Sequence, residues 1–310
     1  MRRWRDSLRD KRVAFGGGVL AILFVAAFAA PVLAAWLGQD PDAVDLYHRL
    51  AAPSLAHPLG TDEIGRDLLL RLLEGGRVSL LVGVVAALAA AVLGTTVGLI
   101  AGYRGGRLDA ALMRITDGVI ALPLLPLLVV LAALDLKKLG LPASLVDSQA
   151  ISIDRIIVLV ALVGWTTVAR VVRGATLSVK SRDFVRAAVA LGAGGRRVML
   201  VHILPNLASP IIVATTLAVG EVILLESVLS FLGLGVAPPI PSWGNMLTSA
   251  QETIELAPQL ALYPGLLIFI TVIACNFLGD GLQDALDPRA QRRIATVSLR
   301  PLAIEQPADD

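Results

Sequence analysis

Three runs of this chain, Val13 to Leu37, Val78 to Tyr103 and Leu256 to Gly279, carry no charged residue at all. A bilayer hydrocarbon core roughly 30 Å thick is crossed by about 20 apolar residues in a helix, and only helices or closed barrels satisfy their own backbone polar groups there. Runs of this length therefore predict membrane-spanning helices. Composition agrees: charged residues make up 17% of the chain, against about 25% in soluble domains, and the mean hydropathy is +0.76. The first run follows Arg2, Arg3, Arg5, Arg9, Lys11 and Arg12, the pattern of a secretory signal, but signal cores span only about 7 to 15 residues, so a retained helix is expected. One cysteine, Cys275, lies in an apolar run and cannot form an intrachain disulfide.

Three weaker spans complete the set: Ile115 to Leu134 with Asp117 at its start, Ile156 to Val172 with Arg170 near its end, and Leu207 to Leu232 interrupted by Glu221 and Glu226. The expected fold is an all-α integral membrane protein of six transmembrane helices. If both termini are cytoplasmic, the inner segments hold 20 of the 27 Lys and Arg residues, as the positive-inside rule requires, and segments 38–77 and 233–256 lie outside. Gly94, Gly98 and Gly102, four apart, predict a smooth helix face that a neighbouring backbone can approach closely. Pro123 and Pro126 remove backbone donors and predict a bend in the third span.

Several chemistries lack their residues. The lysines are Lys11, Lys137, Lys138 and Lys180, and none follows a phosphate-cradling glycine loop. His48, His57 and His202 are scattered without metal-ligand spacing. Ser79, Ser178 and Ser230 occupy no nucleophile elbow. The chain is expected to be no enzyme and to hold no cofactor or metal, and nothing points to nucleic acid.

The segment Arg186 to Asn206 joins the fourth and fifth spans. Ala187, Ala188 and Leu191 lie at helix spacing, Gly192, Gly194 and Gly195 break the helix, and a second short helix is expected from near Arg196 to Pro205. Such a helix-turn-helix can fit a protein groove, or can simply be a basic surface loop.

This loop resembles the coupling loop of binding-protein-dependent ABC importers. Four further stretches resemble the dipeptide and oligopeptide permease family, in its C-type subunit, and follow that family's order along nearly the whole chain. They are His57 to Asp67 (HPLGTDEIGRD), Gly102 to Gly106 with Asp117, Glu226 to Gly235 followed by Pro241 to Met246 (PSWGNM), and Leu278 to Arg289. The resemblance implies a type I ABC importer permease fold in a bacterial inner membrane, both termini cytoplasmic. It implies residues 1–55 as cytoplasmic tail and first helix, 56–77 as an extracytoplasmic amphipathic segment, 78–285 as the transmembrane domain with coupling loop 184–206, and 286–310 as a cytoplasmic tail. The implied partners are a second homologous permease, two cytoplasmic ATPases that use ATP and Mg, an extracytoplasmic solute-binding protein and the lipid bilayer.

Residue by residue, the coupling motif falls on Ala187, Ala188, Gly192, Leu204 and Pro205, with Leu191 on the same small apolar face. Arg186 stands where the motif has Glu, which reverses a charge. The stretch 135–155 is longer than the resemblance leads one to expect.

Ionisable groups inside hydrocarbon cost about 2.5 kcal/mol or more and are functional candidates. Glu221 and Glu226 are therefore candidates, and the resemblance places them in the helix lining the passage between the two permeases, with a polar clamp between helices as their alternative role; Asn245, in the PSWGNM stretch, is a third candidate for the translocation path. His57, Asp62, Arg66 and Asp67 are expected to cap and anchor a short helix on the outer surface. Trp243 suits an interfacial anchor, or else a docking contact.

Overall fold

The structure, a computed structural model, describes residues 10–134 and 149–286, with 137 and 142 between them. The basic residues before Asp10, most of the stretch 135–155 and the tail after Leu286 lie outside the described residues. Nine α-helices are named here: α1 Lys11–Leu37, α2 Leu68–Arg104, α3 Gly106–Ala121, α4 Leu124–Ala132, α5 Gln149–Lys180, α6 Asp183–Ala190, α7 Ala208–Phe231, α8 Trp243–Ala250 and α9 Gln259–Leu286. Among the described residues the only β pairing is an isolated bridge between Thr61 and Asp67.

Five helical stretches are long and apolar enough to cross a bilayer, or six if α3 and α4, which meet at 85°, count as one broken span. The bend falls at Leu122 and Pro123, where Pro123 caps α4 from an extended conformation. Pro126 sits in the first turn of α4, where a missing N–H costs nothing. Arg155 on α5 donates to the carbonyls of Leu131, Ala132 and Leu134, filling the acceptors that the end of α4 leaves open.

Packing follows the small residues. A Cβ at Gly94 would lie 2.5 Å from Trp165 O, and one at Gly98 would lie 2.4 Å from Ala169 O, so the glycine stripe lets the backbone of α5 touch that of α2. On α1, Gly16 meets α9 in the same way, with Ala274 O 2.5 Å from where a Cβ would stand, and Phe15 packs edge-on against Phe277. Arg12 pairs with Asp284 at 2.9 Å, which places both described chain ends at one end of the bundle, here called proximal.

The opposite, distal end is built from residues 38–67 and 232–258. The expected short helix before the second span is absent. Asp67 instead caps α2, accepting from Leu70 N–H at 2.9 Å, so that α2 begins ten residues before Val78. The rest of His57–Asp67 is a loop that satisfies itself. Asp62 accepts from the backbone of Ile64 and Arg66 and from the Arg66 side chain at 2.6 Å, and His57 pairs with Asp67 at 2.9 Å. Gly65 has φ of +85° and a Cβ there would stand 1.8 Å from Asp45 O, so only glycine fits.

Candidate functional site

At the proximal end, α6 and the turns after it form the expected helix-turn-helix. Gly192 has φ of +86° and closes α6 by accepting no side-chain load: its N–H donates to Val189 O at 2.9 Å and that of Ala193 to Ala188 O at 3.0 Å. This is the left-handed helix ending that glycine favours. The second half differs from expectation. From Gly195 the chain passes through a π-helical stretch, Val198–Ile203, and a tight turn, Leu204–Leu207, directly into α7. Pro205 does not end the helix, because it enters at the start of the tight turn, where its missing N–H has no partner to lose.

Four apolar side chains that the sequence reading passed over hold this unit to the bundle. Val185, Val198, Ile203 and Leu207 are buried and pack with Leu99 and Val179 at the ends of α2 and α5. They fall on three successive elements rather than on one helical stripe, so their shared burial is set by where α2 and α5 end. The exposed apolar side chains of the unit are Phe184, Val189 and Leu191, the last 88% exposed. Ala187 and Pro205 are exposed beside them, whereas Ala188 and Leu204 are half-buried. Arg186 is exposed and reaches no further than Asp183, at 4.0 Å.

The three candidate path residues separate. Glu221 and Glu226, five residues apart, point about 140° from each other around α7. Glu226 is fully buried. Its carboxyl group accepts from Ser79 Oγ of α2 at 3.1 Å and from Ser230 Oγ at 2.7 Å. Each hydroxyl in turn accepts a backbone N–H of the distal segment, Trp243 to Ser79 and Val236 to Ser230, both at 3.1 Å. Glu226 is thus a polar clamp between helices. Asn245 completes the capping box of α8 with Ser242, and its amide donates to Ile240 O at 2.8 Å and Val236 O at 3.2 Å, shaping the 236–242 loop.

Trp243 is neither an interfacial anchor nor a free docking contact. It is 2% exposed, its indole N–H donates to Leu72 O at 2.9 Å, and its ring fills the space left by Gly76. A short distal helix lying across α2 and α7 needs a large wedge at its start, and Trp243 is that wedge.

Of the three, Glu221 lines the large cavity, whereas Asn245 borders only a small distal pocket of about 20 Å³ beside Asp62, Arg66 and Arg71. The cavity is an open cleft of about 770 Å³ between α3, α4, α5 and α7, with the end of α9 at its proximal rim. Its wall on α7 is a stripe at helical spacing, Val213, Leu217, Glu221 and Leu225. Apolar side chains dominate the rest, and the charged lining residues are Glu221 and, in the turn before α6, Arg182. The two carboxylates of α3 are matched: Asp109 forms a two-point pair with Arg173 at 2.5 and 2.7 Å, and Asp117 pairs with Arg170.

Residues 94–292 match the family described as binding-protein-dependent transport system inner membrane component. The chain is 39% identical over 288 residues to a glutathione transport system permease protein of Pectobacterium atrosepticum, covering 92% of this chain and 90% of that one. It is 39% identical over 293 residues to a dipeptide transport system permease protein of Bacillus subtilis, covering 93% and 85%. To an oligopeptide transport system permease protein of Haemophilus influenzae it is 36% identical over 292 residues, covering 92% and 88%. With five or six apolar spans, a helix-turn-helix presented at one end and a match of this extent, the chain belongs to the inner membrane components of binding-protein-dependent transport systems and is a multi-pass permease subunit of the ABC type.

Proposed function

We propose that this permease imports peptides or closely related small solutes, as one of two permeases above a pair of ATPases, with a solute-binding protein delivering cargo to the distal end. In this reading the proximal end faces the cytoplasm, both termini included. The cleft on α7 is half of the translocation path, completed by the second permease. ATP and Mg are bound and turned over in the ATPase subunits, since this chain has no phosphate loop.

The observation that carries the reading is the exposed apolar tip of the helix-turn-helix, Phe184, Val189 and Leu191, mounted on the buried anchor of Val185, Val198 and Ile203. An apolar tip held rigidly in water invites a groove, and the anchor makes a push on the tip a push on α2, α5 and α7. Closure of the ATPases would then rock the bundle between its outward- and inward-open states. The peptide class rests on relatives named for dipeptide, oligopeptide and glutathione transport. Replacing Leu191 with Asp should lower solute-stimulated ATP hydrolysis by the assembled transporter at least tenfold while the permease still folds and inserts. Unchanged stimulation would refute the coupling role.

A further inference from the structure

We infer that Glu221 receives the free amino group of the transported solute, so that peptides pass this point on α7 amine-first against its carboxylate. The inference rests on the importer reading above and adds the recognition group.

The cleft of about 770 Å³ falls within the 300 to 1,000 Å³ range of small-molecule sites. Such sites are mostly apolar, with a few polar groups that fix orientation. Here the carboxylate of Glu221 is the one acidic group in the lining. It lies on α7 about 18 Å of helix rise from Ser209 and about 15 Å from Phe231, near the middle of the span. Among the described residues it has neither a hydrogen bond nor an ion pair, whereas Asp109, Asp117 and Glu226 are each partnered. An exposed carboxylate at mid-span, set between Leu217 and Leu225 on an otherwise apolar wall, calls for a cation that comes and goes with the cycle. The other charged lining residue, Arg182, lies in the turn before α6, at the proximal rim, and does not neutralise it.

An ammonium group suits the position chemically. It donates a charge-assisted hydrogen bond to the carboxylate, and every unblocked peptide carries it whatever its side chains are. A single carboxylate in an apolar wall therefore selects a peptide's end without selecting its sequence, and it holds the cargo by one charge-assisted contact that is easily released.

The complete transporter, reconstituted in proteoliposomes and supplied with saturating loaded binding protein, provides the test. The probes are trialanine and N-acetyl-trialanine, with Glu221→Gln and Glu221→Asp as variants. Glu221→Gln should lower maximal uptake of trialanine about tenfold, equivalent to about 1.4 kcal/mol, and change uptake of the acetylated peptide less than twofold. Glu221→Asp should restore most of the loss. Equal loss for both probes, as expected if Glu221 pairs with a cation of the second permease, overturns the inference, and so does no loss for either. Equilibrium dialysis of both probes against the nucleotide-free complex without binding protein gives the same comparison if the binding protein refuses the acetylated form. If the native transporter neither binds nor imports either peptide, the peptide reading itself fails and takes this inference with it.

Discussion

Ser79 and Glu226, on different helices and 147 positions apart, share a hydrogen bond of 3.1 Å in the buried interior, and the same Ser79 oxygen accepts the backbone N–H of Trp243. One hydroxyl therefore joins α2, α7 and the first turn of α8. With Ser230 holding Val236 in the same manner, a single carboxyl group fixes both ends of the 236–243 crossing. Removing it by Glu226→Ala leaves two buried hydroxyls short of an acceptor and a void, a cost on the order of 2–4 kcal/mol. Glu226→Gln keeps the volume and one acceptor and should cost less. Thermal unfolding in detergent should rank native above Gln above Ala, and indistinguishable midpoints for native and Ala would remove the clamp.

The glycine stripe predicts a sharper contrast. Gly98→Leu must push the backbone of α5 away at Ala169, and overpacking of this kind costs about 1–3 kcal/mol or more. Gly174→Ala meets open space and a helical φ, so it should be neutral or slightly stabilising. Yield and thermal midpoint of the two variants should diverge, and equal behaviour would contradict the close approach of α2 and α5.

At the tip proposed to couple to the ATPases, Gly192 and Arg186 should respond differently to substitution. Gly192→Leu forces a side chain into left-handed backbone, costing roughly 1–2 kcal/mol, and should uncouple ATP hydrolysis from transport by loosening the end of α6. Arg186→Glu should change solute-stimulated hydrolysis by less than threefold, because Arg186 faces outward and its contact with Asp183 is an exposed pair of little energetic weight. A tenfold loss with Arg186→Glu, rescued by charge reversal in the ATPase groove, would show instead that this arginine is a docking contact.

Orientation follows from labelling. Leu55, Glu255 and Leu191 are exposed, the first two distal and the last proximal, whereas Ser242 is fully buried at the cap of α8 and unsuited to a probe. Cysteines at 55 and 255 should react with an impermeant maleimide in intact cells, and a cysteine at 191 only after permeabilisation. The native Cys275 is buried and should stay silent. The reverse pattern would invert the topology.

The spans were legible because bilayer thickness turns length and charge into a direct reading, and the bend at Pro123 and the stripe at Gly94, Gly98 and Gly102 follow from what those residues lack. Direction around a helix was harder. Nothing in the spacing of Glu221 and Glu226 told which of them faced a cavity, since that depends on where α2 places Ser79. Trp243 read as an interfacial residue because Trp is common at membrane boundaries, and only the facing Gly76, 167 positions earlier, shows that it is a core wedge. The helix before the second span was misplaced for a related reason: Asp67 caps a long helix as readily as a short one, and the continuity of Leu68 with Val78 was hidden by Arg71, Glu74 and Arg77. Arg71 is itself buried, bonded to Asp42 at 2.6 Å and to Pro239 O at 3.2 Å, so it ties the distal loops together while reading as a surface charge.

The central claim is that this chain carries peptides only as part of an ATP-driven assembly. The most direct measurement is uptake of a labelled dipeptide into proteoliposomes holding this permease with its partner permease, ATPases and binding protein, compared with vesicles lacking the ATPases. The account predicts uptake that requires enclosed ATP, the ATPases and the binding protein together, and that is lost when Leu191 is replaced by Asp. Uptake that persists without ATPases or follows an imposed ion gradient would contradict it and identify the chain as a carrier or channel.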